Sequence, residues 1–553
     1  MKKKLIFKIL LLIVSNLLFS QEALKSIEEE YYDFLSLQGI VERPTLGYRT
    51  LSDSVWYIPD NKEHIWQNNN LGNTNILFES TNQGTNWFTK GFYHGLKYKI
   101  YGPEWYNSYN TKNPYGQNDG ALWQGKGYNT SFSVGARLEG YGFELTLKPQ
   151  FTFSQNLEFE YVKPNYDNNN SLYNNKAGIF GYYGIAFIDA PQRFGNKSFF
   201  TFDFGDSEIR YNWNSFTLGF GTQYIWLGPA RINPIIHSNN APSYPKIDIG
   251  MRKQKISIKQ FELGELEFRC WWGQLTESDY FDNDNSNNHN LISALSISWS
   301  LPGIFKGLTF GFNRNMLSKW DNINKYTLFE IYLPWMNSKA GVDVSDQRAS
   351  FTINYLIPKV GFEIYFEWAR NDFQVKELNL IRYPFHTQAW NIGVVKSLNF
   401  KNKLKGKLTF EYTYLECSHD YNTTYPWVST FYAHHKITQG YTNKGQWLGA
   451  GIGTGGNSQY LEFELIYPKG KSSIYLYRFN PDLDYVWFNS DFENSYANKM
   501  KTILTLGIDT NNYLTQSFIL MNQIDFILNM SNNYSYQGKQ LEFSIKVSCK
   551  YIF

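Results

Sequence analysis

Side chains that take turns between apolar and polar, strand after strand, limit this chain more than anything else in its sequence. Residues 541–553 are the sharpest case. Leu541, Phe543, Ile545, Val547, Cys549, Tyr551 and Phe553 are apolar, Glu542, Ser544, Lys546, Ser548 and Lys550 are polar, and only Ile552 breaks the pattern. A period of two sends the two sets to opposite faces of a strand. The same reading holds for Phe132, Val134, Ala136 and Leu138, for Phe143, Leu145, Leu147, Phe151 and Phe153, and for Leu266, Phe268, Cys270 and Trp272. It holds again for Phe362, Ile364, Phe366 and Trp368, and for Phe410, Tyr412 and Tyr414. Pro149 interrupts the second of these runs and predicts a bulge or strand end there.

A soluble sandwich also hides one face and wets the other, so alternation alone does not decide. The aromatic load does. Phe, Tyr and Trp make up 18% of 553 residues, yet mean hydropathy is −0.44. Strands with one greasy face and one polar face satisfy both numbers; a bundle of membrane helices does not. Strand runs of about 10 residues and uneven connections complete the pattern of a transmembrane barrel. Pro358 to Gly361 and Lys469 to Lys471 are tight turns, whereas Pro164 to Lys176 and Asp282 to Asn290 are long and Asn-rich. The expected fold is therefore all-β: a large transmembrane antiparallel β-barrel of about 16–18 strands, preceded by a small N-terminal helical segment.

Lys2, Lys3 and Lys4 precede an apolar run from Leu5 to Phe19 that is too short and interrupted to span a bilayer. It reads as a signal peptide over residues 1–20. Residues 21–89 form an N-terminal helical and extended segment, with a helix expected over Glu22 to Gln38 and ended by Gly39, and residues 90–553 form the barrel. A net charge of +3 points to no nucleic acid partner. Cys270, Cys417 and Cys549 give neither a disulfide framework nor metal spacing, and no cofactor motif is present.

Several motifs are familiar in this order: Pro44 to Ser54, Asn113 to Gly127, Trp226 to Pro229 with Asn233-Pro234 and Ser238 to Pro242, Trp272 to Asp279, Phe312 to Arg314, Phe366 to Asp372, and Gln439 to Gln446. Together the chain resembles the capsule assembly Wzi family of Gram-negative, Bacteroidota-type bacteria. The resemblance implies an outer-membrane barrel whose small N-terminal helical portion lies at the periplasmic end, and a lectin role in which it binds capsular or other surface polysaccharide and helps attach it. The C-terminal strand ending in Phe553 looks like the signal that barrel assembly machinery reads. The expected partners are thus polysaccharide, outer-membrane lipid and that machinery.

Sugars need flat apolar faces and planar polar groups. Trp272, Glu277, Asp279, Arg314, Glu367, Arg370, Asp372, Tyr432 and Gln439 are the candidate glycan contacts. Trp226, Trp272 and Trp368 read equally as girdle aromatics at the membrane interface. Arg314, Arg348, Arg370 and Glu367 are expected to point inward, because a charge on the lipid face costs about 2–4 kcal/mol at mid-bilayer. Two rival readings stay open. A passive porin would need an open lumen. An enzyme would use Glu367 with Asp372, or Glu277 with Asp279, as paired carboxylates, but His434 and His435 lack a nucleophile motif and Gly449 to Gly456 lacks the helix of a phosphate loop.

Overall fold

The computed structural model describes residues 26–59, 61–72, 78–79, 96–162, 181–183, 187–282, 284–332, 345–371, 385, 387–417, 431–489, 500–534 and 538–553. Within these, 18 antiparallel strands close into a barrel. In chain order they are β1 (Lys97–Asn110), β2 (Gly127–Gly140), β3 (Phe143–Leu147 with Gln150–Ser154), β4 (Phe199–Asp203 with Glu208–Trp213), β5 (Phe216–Gly221), β6 (Lys246–Ile258), β7 (Phe261–Thr276), β8 (His289–Ser300) and β9 (Leu308–Lys319). The wall continues through β10 (Ser345–Ile357), β11 (Phe362–Asn371), β12 (Gln388–Asn399), β13 (Lys405–Tyr414), β14 (Asn457–Tyr467), β15 (Gly470–Asn480), β16 (Thr502–Thr515), β17 (Phe518–Met530) and β18 (Lys539–Tyr551). The last strand pairs with the first, from Ser544↔Asn110 to Lys550↔Glu104. Closure removes the open edge that a sheet cannot leave in lipid. The break in β3 falls at Lys148 and Pro149, as the proline predicts.

The alternation read from sequence sorts the faces. On β18, Leu541, Phe543 and Ile545 are exposed on the outside, whereas Glu542, Ser544, Ser548 and Lys550 are buried in the lumen. On β11, Ile364 and Phe366 face out and Glu363, Tyr365 and Glu367 face in. An exterior this apolar matches the outward belt of a transmembrane barrel. Its upper border is a row of mostly aromatic residues in register: Phe268, Ile297, Phe312, Phe351, Trp368, Trp390 and Tyr414. One rim carries the tight turns. Between β10 and β11, a single 3-10 turn (Pro358–Val360) ends on Gly361, whose φ of 59° suits glycine. The other rim carries the long connections.

The N-terminal helix, α1 (Ile27–Leu37), starts at Ser26, whose hydroxyl accepts from the Glu29 amide at 3.1 Å. That is later than the Glu22 expected, with residues 21–25 outside the described chain. The helix enters the lumen at the short-turn rim. Its aromatic side packs Tyr31 on Trp66, with ring centroids 3.6 Å apart, and both lie in one core with Trp56, Ile466, Tyr513 and Ile519. Its acidic side is tied to lysines of the wall: Glu28 to Lys550 at 2.9 Å, and Glu30 to Lys471. The chain then runs up the lumen. Tyr48–Arg49 pairs with Trp226–Leu227, and the Tyr48 ring meets Trp271 at 5.6 Å.

Candidate functional site

Charge fixes this plug in place. Asp53 accepts from Arg252 at 2.7 Å and from Arg269 at 2.8 Å, so one plug carboxylate bridges two arginines of the wall. Arg269 also reaches Asp248 (2.7 Å), Asp248 reaches Arg210 (2.7 Å), and Arg210 reaches Glu208 (2.8 Å). Signs alternate along this chain, which is how buried charges are tolerated. Nearer the short-turn rim, Asp33 contacts Arg43 at 2.8 Å and also Arg231. Burial pushes Asp33 up, but Arg231 and Arg43 outweigh it and hold the carboxyl below its usual range. Glu29 accepts from the Trp56 indole N–H at 2.6 Å, and burial, outweighing that bond and the nearby Arg49, raises it to about 8.

From the long-loop rim, residues 222–245 and 431–456 fold inward and meet the plug. Tyr432 is fully buried: its hydroxyl donates to the Ile235 carbonyl at 2.6 Å and accepts from the Ala450 amide at 2.9 Å. Glu411 accepts from the amides of Arg231 and Asn233, and Glu367 from that of Ile235, so wall carboxylates hold the inward segment by its backbone. Trp226 belongs to this interior. Its indole donates to the Ala230 carbonyl at 2.8 Å, which corrects the girdle reading for this residue. Between the two fillings lies a chamber of about 550 Å³, lined by Tyr106, Tyr115, Tyr460, Tyr475 and Tyr477 among charged groups.

Above the plug, the outer mouth brings together a second set of side chains. Glu277 and Asp279 follow directly on β7. Asp189 accepts from the Ser278 amide and hydroxyl, each at 2.6 Å, and its own amide donates to the Gln439 carbonyl at 2.8 Å. Gln439 is held in turn by Asn290 at 2.6 Å. Burial, with Asp282, Asp189 and Asp284 nearby, raises Glu277 to about 9; burial raises Asp189 to about 7. Beside these carboxylates stands an aromatic group in which Phe194 touches Trp123 (4.8 Å) and Tyr280 (5.8 Å). Trp123 and Tyr280 are half-buried, Asp279 is exposed, and the Trp123 indole N–H has no partner among the described residues. Flat rings beside carboxylates suit sugar recognition.

Of the residues singled out from sequence, Glu277, Asp279 and Gln439 meet at this mouth, while Tyr432 and Glu367 lie deeper, holding the inward segment. Asp372 is outside the described residues. Arg348 points inward, with Nε donating to the Phe431 carbonyl at 2.7 Å. Arg314 and Arg370 do not. They share the outward face with Phe312 and Trp368, one step further toward the long-loop rim, and Trp272 is outward too, two steps beyond Phe268. The expectation that these arginines face the lumen fails because they share strand parity with the outward Phe312 and Trp368, one register row beyond the aromatic row on its long-loop side. Trp123 and Tyr280 were missed as contacts; the first sits inside the Asn113 to Gly127 motif, and only the folded loops bring the two near each other.

A closed antiparallel barrel with an apolar belt, a filled lumen and long loops at one rim defines an outer-membrane β-barrel protein. The chain belongs to the capsule assembly protein Wzi family, whose model matches residues 110–477. The structure is similar to that of an Escherichia coli protein, Wzi, described as an outer membrane protein involved in group 1 capsule assembly and a carbohydrate binding β-barrel. The TM-score is 0.55 at 14% identity, over 82% of this chain and 84% of that one. Acinetobacter baumannii OccAB1 gives a TM-score of 0.39 at 8% identity, over 86% and 99% of the chains. Pseudomonas putida OprB gives 0.36 at 9%, over 83% and 94%. Among curated proteins, none matches the sequence.

Proposed function

We propose that this barrel is a lectin of the outer membrane that binds capsular or other surface polysaccharide at its outer mouth and releases it unaltered. The observation that carries this reading is the filling of the lumen from both ends. A porin needs a water path from rim to rim, and here the helix Ile27–Leu37 and the buried rings of Tyr48, Trp226, Trp271 and Tyr432 occupy the way. What the long-loop rim offers is a surface: Trp123, Tyr280 and Asp279, with Glu277 and Asp189 behind them. A long repeating glycan engages such a surface many times over, and weak contacts on neighbouring barrels add up to avidity. Membership of the capsule assembly family supports the choice of ligand.

The test is binding of the host's own capsular polysaccharide to the purified protein in lipid nanodiscs. Trp123→Ala and Tyr280→Ala are expected to weaken it, with no new reducing ends appearing. Binding that is absent for the native protein ends the lectin reading. Reducing ends released over time would replace it with an enzyme.

A further inference from the structure

After β9 the chain does not rise into the medium. It turns over the rim and lies on the outer wall. Residues 320–322 form a 3-10 turn, and Asn324 then caps a short helix, α2 (Lys325–Phe329), with bonds to the Tyr326 and Thr327 amides. A further 3-10 turn, Glu330–Tyr332, completes the segment. Three outward side chains on three successive strands receive it. The Trp272 indole on β7 donates to the Leu328 carbonyl at 2.8 Å, the Ser293 hydroxyl on β8 to the Thr327 carbonyl at 3.2 Å, and the Arg314 guanidinium on β9 to the Ile331 carbonyl at 2.9 Å. These are carbonyls at a helix C-terminus, which otherwise lack partners. Ile331 packs in one apolar cluster with Cys270, Leu295 and Met316, all outward residues of the wall. The attachment is therefore built rather than incidental.

Among the described residues, nothing covers the segment's other side. Tyr326 is 66% exposed, Phe329 54% and Tyr332 40%, and the Phe329 and Tyr332 rings lie 6.3 Å apart. Lys325 stands over the Tyr326 ring at 5.3 Å. Three aromatics in water at the end of a loop are a liability. Their depth explains them. The residues that seat the segment form the two register rows above Phe268, Ile297 and Phe312, at the upper border of the apolar belt: Cys270, Leu295 and Arg314, then Trp272, Ser293 and Met316. A surface continuous with that belt and one to two steps above its aromatic border belongs to the headgroup layer, where Tyr, Phe and Lys are favoured.

We propose that Lys325–Tyr332 is a lipid-contacting platform: it widens the barrel in the outer-leaflet headgroup layer and seats Tyr326, Phe329 and Tyr332 among the lipids. The occupant is membrane lipid, not polysaccharide and not a second barrel. This inference is independent of the lectin reading.

The experiment places single spin labels on the full-length protein in phosphatidylethanolamine–phosphatidylglycerol vesicles, after replacing Cys270, Cys417 and Cys549 with alanine. Labels go at Phe329, at Phe366 (outward, two residues below the aromatic row) as a hydrocarbon reference, and at Asp279 as a water reference. Collisions with oxygen and with a water-soluble nickel chelate give depth. The label at Phe329 is expected between the two references, with reduced chelate access relative to Asp279. In Trp272→Phe, which keeps the ring and removes the bond to Leu328, that access is expected to rise. Chelate access at Phe329 equal to that at Asp279 overturns the proposal. So does dipolar broadening of a single Phe329 label, which would show a second barrel covering the segment.

Discussion

Removing the Asp53 carboxylate should loosen the plug while leaving the wall closed. In Asp53→Ala, Arg269 loses its 2.8 Å partner and Arg252 its 2.7 Å partner. The Thr50 hydroxyl loses an acceptor at 3.1 Å as well. Taking one member from a buried ion pair costs about 3–5 kcal/mol, because the other charge stays buried without compensation. Both arginines keep a second carboxylate, Arg269 through Asp248 and Arg252 through Glu144, and Arg252 is partly open to water. The lower end of the range, about 3 kcal/mol, is therefore expected. The amides of Leu46, Gly47 and Tyr48 report it, since all three donate to the buried Glu267 carboxylate and exchange only when the plug lifts. At 1.4 kcal/mol per factor of ten, their hydrogen exchange should speed up about a hundredfold, while amides of β15 and β16 keep their rates. Unchanged exchange at these three amides would refute the reasoning and mean that the charge chain does not hold the plug.

Three further outcomes follow from the same geometry. Glu277, Asp189 and Glu29, raised to about 9, 7 and 8, bind protons in the folded state that the unfolded chain has released; their contribution is full below the ordinary carboxylate range and is lost as pH climbs through these values, so thermal unfolding in detergent should occur at lower temperature at pH 9 than at pH 5. Cys270 is fully buried beneath the outer segment and should resist maleimide under conditions that label Cys417, and equal rates would mean the segment lifts freely. Deleting residues 27–71 should open a water path through the wall and give a steady conductance in planar bilayers; a barrel still closed after this deletion would place the block entirely in the inward loops.

Much of the wall was legible because a period of two survives wherever one face meets lipid. The runs at Phe362 to Trp368 and Leu541 to Tyr551 face as their alternation requires, and Pro149 marks a real break. The rim residues were misread for a definite reason. Arg314 shares parity with Phe312, and Arg370 with Trp368, so the sequence itself pointed them outward; the argument from lipid cost was applied without knowing that they stand above the aromatic row. Depth depends on how the strands stagger, and no single strand records it. The inward segments were illegible for another reason. Residues 222–245 and 431–456 have no period, and their order comes from single bonds to distant partners, such as Glu411 holding the amides of Arg231 and Asn233. The mouth likewise depends on Phe194 bringing Trp123 near Tyr280, a meeting of three loops.

The account turns on a lumen that supports a binding surface instead of conducting, so single-barrel current through the intact protein in a planar bilayer is the most direct measurement. Full-length protein, inserted and folded, should hold the baseline with brief flickers at most. A stable open current, present from insertion and reduced by added sugar, would contradict it and identify a channel.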